Sequence, residues 1–85
     1  MDKFNTRKAK LIADAMIDEL HRATRKFDKF YTGHEGWAVI KEELDELWDE
    51  LRKKQTERSS ATLLHEATHV GAMAMRFIYD LLETS

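Results

Sequence analysis

Apolar residues recur at steps of three and four along most of the chain, which is the spacing of one face of a helix. In the first third of the sequence they are Ile12, Met16, Leu20, Ala23, Phe27 and Phe30. Strict alternation of apolar and polar residues, which is typical of half-buried strands, is lacking. The pattern therefore predicts an all-α protein with three helices, over about residues 2–30, 33–55 and 60–83.

The predicted helix boundaries depend on residues that can cap a helix. Thr32 and Glu35 have the spacing of a capping box, which predicts a helix start immediately after Thr32. Ser59 or Ser60 can cap the third helix after the polar segment of residues 55–60. Proline is absent and the chain has three glycines, so long helices are permitted nearly everywhere.

The third predicted helix has an apolar surface too broad for one neighbouring helix to cover. Gly71 and the alanines in this surface allow a second helix to approach closely. We therefore expect a helix-hairpin core that assembles into a dimeric or tetrameric helical bundle. The alternative is a monomeric three-helix bundle. The two adjacent apolar rows are Leu63, Ala67, Val70, Ala74, Phe77 and Leu81, and Leu64, Gly71, Met75, Ile78 and Leu82.

Size and charge narrow the classes of function. The 85 residues predict a single domain over residues 1–85, and the absence of cysteine excludes disulfides. No signal-peptide pattern opens the sequence and no apolar run is long enough to cross a membrane, so we expect a cytoplasmic protein without a membrane partner. The net charge is −2, and residues 35–50 hold seven acids against one lysine. We expect no nucleic-acid partner, because this acidic block would repel phosphates.

Negative charge is concentrated in the second predicted helix, where residues 42–50 contain six carboxylates. At about 100° per residue, Glu43 and Glu46 lie one turn apart at the edge of the apolar face. On the third helix Glu66 also flanks apolar residues, and His69 follows one turn later, further toward solvent. Carboxylates beside a core are costly unless a cation neutralises them. If the two helices pack antiparallel, these four residues face one another, and we expect them to form a site for Mg²⁺ or Mn²⁺: Glu43, Glu46, Glu66 and His69.

The order of these residues resembles a known family. Glu42-Glu43-x-x-Glu46, followed by Glu66-x-x-His69 and an apolar tail, is similar to the EExxE and ExxD signature of the MazG-like all-α nucleotide pyrophosphohydrolases. The similarity covers about residues 25–82. It implies a dimeric or tetrameric helical bundle that uses Mg²⁺ to cleave a nucleoside triphosphate into a monophosphate and pyrophosphate. The chain departs from the signature at its last acid, where it has His69, and imidazole prefers softer ions than Mg²⁺.

The resemblance gives roles to particular side chains. Glu43, Glu46 and Glu66 would be the catalytic residues, since ions held by them neutralise phosphate oxygens and activate water. Trp37 or Trp48 could stack on a base, although the helical angle of Trp48 predicts that it packs in the core. Basic residues that could hold the phosphates of the substrate are Lys53, Lys54 and Arg76.

Two other interpretations use the same residues. His65-Glu66-Ala67-Thr68-His69 matches the H-E-x-x-H motif of zinc proteases, but an all-helical chain of this length offers little room for a third ligand and a peptide cleft. Glu66-x-x-His69, doubled in a homodimer, also resembles half of the ligand set of di-iron helical bundles. The protein would then be a non-catalytic oligomerisation or metal-binding protein.

Overall fold

The computed structural model describes residues 3–82 and confirms the all-α prediction. Helix α1 spans Thr6–Lys26, α2 spans Gly33–Leu51 and α3 spans Ser60–Leu81, with a short 3₁₀ helix at Gln55–Glu57 between α2 and α3. No strand is present in residues 3–82. Residues 2 and 83, the predicted start of the first helix and end of the third, lie outside the described residues. Within them, residues 3–5 and Leu82 are not helical, so both helices are shorter than predicted.

The helix starts follow from capping side chains. Thr32 and Glu35 form the predicted capping box, and the Ser59 side chain accepts the Thr62 backbone N–H at 3.1 Å to cap α3. The sequence prediction did not use Asn5, whose side chain accepts the Lys8 backbone N–H at 2.9 Å. Because Asn5 is the N-cap, α1 begins at Thr6 and residues 3–5 are not helical.

The predicted extension of the first helix to residue 30 is wrong, because α3 holds the following segment in an extended form. The backbone of Phe27 is extended, with φ −122° and ψ 153°. The carboxylate of Asp80 accepts the backbone N–H of Phe30 at 2.9 Å, and Arg76 donates to the carbonyl oxygen of Asp28. These contacts between distant parts of the chain end α1 at Lys26.

The predicted extension of the second helix to residue 55 is also wrong. Glu50 accepts a hydrogen bond from the Lys53 ammonium at 2.9 Å and another from the Ser59 backbone N–H at 2.8 Å. Its side chain is only 7% exposed, so the loop folds back over it. The helix ends at Leu51, and the N-cap of α3 is tied directly to the last turn of α2.

Helix α3 lies between the other two helices and contacts both of them. No Cα atom of α1 lies within 8 Å of one in α2, so the two outer helices diverge from α3. Close approach occurs at two glycines. A methyl group built on Gly36 of α2 would lie 2.6 Å from the ring of Phe77, and one built on Gly71 of α3 would lie 2.5 Å from the end of Met16 in α1.

The buried core is small, and much apolar surface is exposed on the single chain. Ala23, Ala72 and Met73 form its centre, with Val39 and Ile40 packed against them. The prediction that Trp48 packs in the core is wrong for the single chain, in which this residue is 58% exposed. The exposed large apolar residues of α2 form a row along one side of the helix: Trp37, Leu44, Trp48 and Leu51. We call this row the α2 outer stripe.

The predicted apolar surface of α3 is divided in the structure. Leu63, Val70 and Phe77 are partly buried, whereas other members of the two predicted rows remain exposed. Leu82, just after the helix, is exposed as well. The exposed members within α3 lie at helical spacing with no charged residue among them: Leu64, Ala67, Ala74 and Ile78. We call this second row the α3 outer stripe.

The side of α3 that was expected to face solvent is instead covered. Arg76 is 4% exposed and Met73 is 5% exposed, and the side chain of His69 is 17% exposed. The prediction considered one hairpin partner for α3, but the divergent α1 and α2 leave a cleft whose floor is this side of α3.

Candidate metal centre and adjoining cavity

Three of the four predicted ligands lie together between α2 and α3. Each of Glu43, Glu46 and Glu66 offers a carboxylate oxygen, and these three oxygens lie within 4.8 Å of one another. Glu43 and Glu46 are one turn apart on α2, so both can face Glu66 on the antiparallel neighbour. Glu43 and Glu66 are partly buried and Glu46 is exposed.

The environment of Glu43 disfavours its charge. Burial raises the pKa of Glu43 to about 7, assisted by a hydrogen bond with Glu46 and by the charges of Glu46, Glu66 and Glu42. One buried oxygen of Glu43 and one of Glu66 have no hydrogen-bond partner within the described residues. Such carboxylates are costly unless they are protonated or neutralised.

The three carboxylates fit a hard divalent cation. Mg²⁺ and Mn²⁺ prefer oxygen ligands and are held in proteins by a few carboxylates, with water completing the shell. Glu43 and Glu66 both present oxygens that lack a protein donor, and Glu46 leaves the site open to solvent on one side. The donor set does not suit a softer ion, because it contains no nitrogen or sulfur atom.

The fourth predicted ligand, His69, lies beside this trio rather than within it. Its Nδ1 atom is 3.6 Å from Oε2 of Glu43, and its Nε2 atom is 3.6 Å from Oε1 of Glu19 on α1. The ring of His65 lies next to that of His69, with 4.1 Å between centroids. Glu66 belongs to the carboxylate trio, and within the described residues neither histidine is part of a group of three ligands.

A cavity of about 620 Å³ adjoins Glu43 in the cleft between α1 and α2. One wall is formed by α1 and the other by α2, and α3 forms the floor. Three aromatic residues of the linker line it as well: Phe27, Phe30 and Tyr31. The acidic, basic and histidine side chains that line it are Glu19, Arg22, Asp28, Lys29, Glu35, Glu42, Glu43, His69 and Arg76.

The three predicted phosphate-binding residues are separated in the structure. Arg76 lines the cavity, but its guanidinium already contacts Asp80 at 3.5 Å and the ring of Phe30 at 4.1 Å. Lys53 pairs with Glu50, and Lys54 is exposed at the N-cap of the 3₁₀ helix. Neither lysine lines the cavity.

Glu19, Arg22 and Lys29 carry charge into the cavity but were not predicted as site residues. A signal was present at Glu19. This residue lies between Met16 and Ala23 on the buried side of α1, where a charged residue interrupts the apolar row. The position of Lys29 had no signal, because it depends on the end of α1 at Lys26.

No protein-family model, no curated protein and no solved structure matches the chain.

The helices were also compared with the requirements of a membrane span. Within residues 3–82, none of the helices combines the length and the apolar character that crossing a bilayer requires.

Proposed function

We propose that this protein is a Mg²⁺-dependent nucleotide pyrophosphohydrolase, which cleaves a nucleoside triphosphate to a monophosphate and pyrophosphate. The observation that carries the proposal is the trio Glu43, Glu46 and Glu66, one member of which, Glu43, also lines a 620 Å³ cavity. The resemblance of the motifs to the MazG-like family supplies the reaction. The geometry supports a site that could accept a cation and a polyanionic ligand side by side.

The side chains divide the work between the two parts of this site. Glu43, Glu46 and Glu66 would hold one or two Mg²⁺ ions, with Mn²⁺ as a substitute. When bound, the ions would supply positive charge against the phosphate oxygens and favour ionisation of an attacking water. Phosphoryl transfer depends mainly on position and charge, so the absence of an assigned nucleophilic side chain is no obstacle.

The cavity offers features that suit the remainder of a nucleotide. Phe27 and Tyr31 present aromatic surface on which a base could stack, and stacking on aromatic rings tolerates any base. Lys29 and Arg22 line the same cavity and could balance phosphate charge that the ions leave uncompensated. Arg76 also lines the cavity, although its buried Nε lies 3.5 Å from the carboxylate of Asp80.

We also propose that the protein is a homo-oligomer, a dimer or a tetramer, built through the two outer stripes. Several large apolar side chains of these stripes are more than half exposed on the single chain, including Trp37 at 64%, Trp48 at 58% and Leu64 at 66%. Contiguous apolar surface of this kind marks an interaction site. A second copy would bring the same stripes into contact and form a shared bundle.

The test of the proposed function is a screen of ribo- and deoxyribonucleoside triphosphates with Mg²⁺ and with Mn²⁺, measuring pyrophosphate release. Glu43→Gln should abolish release, because it removes a charged ligand while preserving shape. Asp45→Asn is the matched control: Asp45 lies on the same helix but pairs with Lys41 at 2.6 Å on the exposed face. Equal pyrophosphate release by the wild type and Glu43→Gln would contradict the proposal.

A further inference from the structure

The imidazole of His69 connects α1 to the metal centre. Its two ring nitrogens each lie 3.6 Å from a carboxylate oxygen, Nε2 from Glu19 and Nδ1 from Glu43. The three side chains are largely enclosed, with exposed fractions of 17% for His69, 12% for Glu19 and 19% for Glu43. Each of the three helices contributes one of these residues.

Glu19 is held in place from its other side. Arg22 donates to both oxygens of this carboxylate, from Nε at 2.8 Å and from Nη2 at 2.6 Å. Such a bidentate pair fixes the plane of the carboxylate as well as its position. This hydrogen bonding from Arg22 keeps the pKa of Glu19 below its ordinary value.

The enclosure of Glu19 distinguishes it from the ordinary surface pairs of this protein. In the pairs Lys41–Asp45 and Arg52–Asp49, the acidic side chains are 58% and 66% exposed. Exposed pairs of that kind contribute little to stability. Glu19 instead lies at the contact between α1 and α3, with its carboxylate 3.6 Å from the ring of His69.

We propose that Glu19 is a positioning residue of the metal centre, acting through His69 on Glu43. With Nε2 beside Glu19, the imidazole presents Nδ1 toward Oε2 of Glu43 at 3.6 Å and restricts by contact the directions that this carboxylate can take. His69 then serves as a partner of a ligand rather than as a ligand itself. Carboxylates and histidines that support metal ligands in this way commonly set metal affinity. The inference rests on the proposed metal centre.

This role explains two features that the trio alone leaves without a reason. A histidine that only supports Glu43 need not be an acid, so the departure from the family signature at His69 does not remove a ligand. A charged residue on the buried side of α1 also acquires a function. The arrangement extends the metal centre across all three helices.

The experiment measures the dissociation constant of Mn²⁺ by the paramagnetic resonance signal of the free ion. Glu19→Ala should weaken Mn²⁺ binding about tenfold or more, the size of effect known for supporting residues. Glu19→Gln retains an acceptor without the charge and should lie between Glu19→Ala and the wild type. Asp14→Ala, which removes a carboxylate from an exposed position on the same helix, should leave the constant unchanged.

A double-mutant cycle separates positioning from simple loss of negative charge. Once His69→Ala has broken the connection, adding Glu19→Ala should cause little further loss of affinity, because the two residues act in series. Circular dichroism at the temperature of measurement establishes that each variant is folded. If Glu19→Ala is unfolded, Glu19→Gln, which has nearly the same shape, decides the question.

Three outcomes would overturn the inference. Full Mn²⁺ affinity in Glu19→Ala and Glu19→Gln, together with loss of affinity in Glu43→Gln, removes Glu19 from the site and leaves the proposed metal centre standing. Additive losses in the double mutant show that Glu19 does not act through His69. A wild-type protein that binds no Mn²⁺ at millimolar concentration contradicts the proposed metal centre itself, and the inference falls with it.

Discussion

The guanidinium of Arg76 lies over the ring of Phe30, with its central carbon 4.1 Å from the ring centroid. This contact joins the C-terminal part of α3 to the segment between α1 and α2. Arg76 also donates to the carbonyl oxygen of Asp28, and its Nε atom lies 3.5 Å from the carboxylate of Asp80. The path of the chain after α1 therefore depends on one buried arginine.

Loss of this arginine should destabilise the fold strongly. Arg76→Met leaves the charge of Asp80 enclosed without its partner, since the Asp80 side chain is only 4% exposed. Breaking a buried pair in this way costs about 3 kcal/mol or more of the free energy of unfolding. Urea denaturation should show that loss. In the double variant with Asp80→Asn, the loss should be smaller than the sum of the single losses, and strict additivity would show that the two residues are not coupled.

The two close-packed glycines should respond differently to alanine. In Gly36→Ala the new methyl group meets the rigid ring of Phe77 at 2.6 Å, so the helices must separate. We expect the free energy of unfolding to fall by about 1–2 kcal/mol, because overpacking outweighs the gain in helix propensity. Gly71→Ala meets the flexible end of Met16 and is the matched control, which should lose much less. Equal effects in urea denaturation would contradict this packing.

The features of this structure that depend on residues close together in the chain were predicted from the sequence. Helical spacing identified the three helices, and the Thr32–Glu35 capping box located the start of α2. The ends of α1 and α2 were wrong because they depend on Asp80 and Glu50, whose partners are distant in the chain.

The same distinction applies to the candidate site. The grouping of Glu43, Glu46 and Glu66 followed from helix periodicity and antiparallel packing, and the structure brings these three residues together. The position of His69 did not follow, since a helical wheel with one partner helix cannot show that α1 covers the other side of α3. Glu19 was missed for that same reason.

Stability should depend on pH through Glu43. Its pKa is about 7 in the folded protein against an ordinary value of 4.5, so the folded state binds this proton more tightly than the unfolded chain. The free energy of unfolding should therefore fall as the pH rises from about 4.5 to about 7, and this loss should be complete above that range. Thermal melts of Glu43→Gln should lack this slope, and an identical slope in the variant would contradict the assignment.

Two other groups act in a separate pH range. The pKa values of Glu19 and Glu50 are lowered, chiefly by hydrogen bonds from Arg22 and from Lys53. Their contribution to the free energy of unfolding is present at pH values above 4.5, the ordinary pKa of a glutamate. It is lost as the pH falls through their folded-state pKa values. The fall in the free energy of unfolding that is due to Glu43 should therefore be measured above pH 4.5.

Divalent cations should restore the stability that is lost at neutral pH. Mg²⁺ or Mn²⁺ that binds the folded state raises the melting temperature by mass action, and it also relieves the repulsion among Glu43, Glu46 and Glu66. At pH 7.5 we expect the melting temperature to rise with millimolar Mg²⁺ in the wild type but much less in Glu43→Gln. Equal shifts in the two proteins would indicate that the ion binds elsewhere.

His69→Asp should raise both metal affinity and pyrophosphate release. The change restores the acid of the family signature and adds a hard anionic ligand next to Glu43, which should outweigh the loss of the imidazole. His69→Ala, which removes the imidazole and adds no ligand, should weaken Mn²⁺ binding. A fall in affinity for Mn²⁺ with His69→Asp, accompanied by loss of bound Zn²⁺ or iron, would contradict the Mg²⁺ assignment and favour a softer-metal site.

Ala74→Glu should break the proposed oligomer. Ala74 lies in the α3 outer stripe, where a charge would enter the shared apolar surface. Sedimentation velocity at micromolar concentration should show a dimer or tetramer for the wild type, and monomer or unfolded chain for the variant. Ala38→Glu is the control, because Ala38 is exposed on the face of α2 that carries Lys41 and Asp45. A stable folded wild-type monomer would contradict the assembly.

Because no Cα atom of α1 lies within 8 Å of one in α2, the width of the cleft depends mainly on how each of these helices packs against α3. A molecule that fills the cleft and contacts both Arg22 of α1 and Glu43 of α2 would connect these two helices directly. Its binding should make the two outer helices behave as one mechanical unit. Amide hydrogen exchange should then slow in α1, far from the carboxylates, as much as in α2. Ligand binding in the cleft would thus reduce the local opening of all three helices.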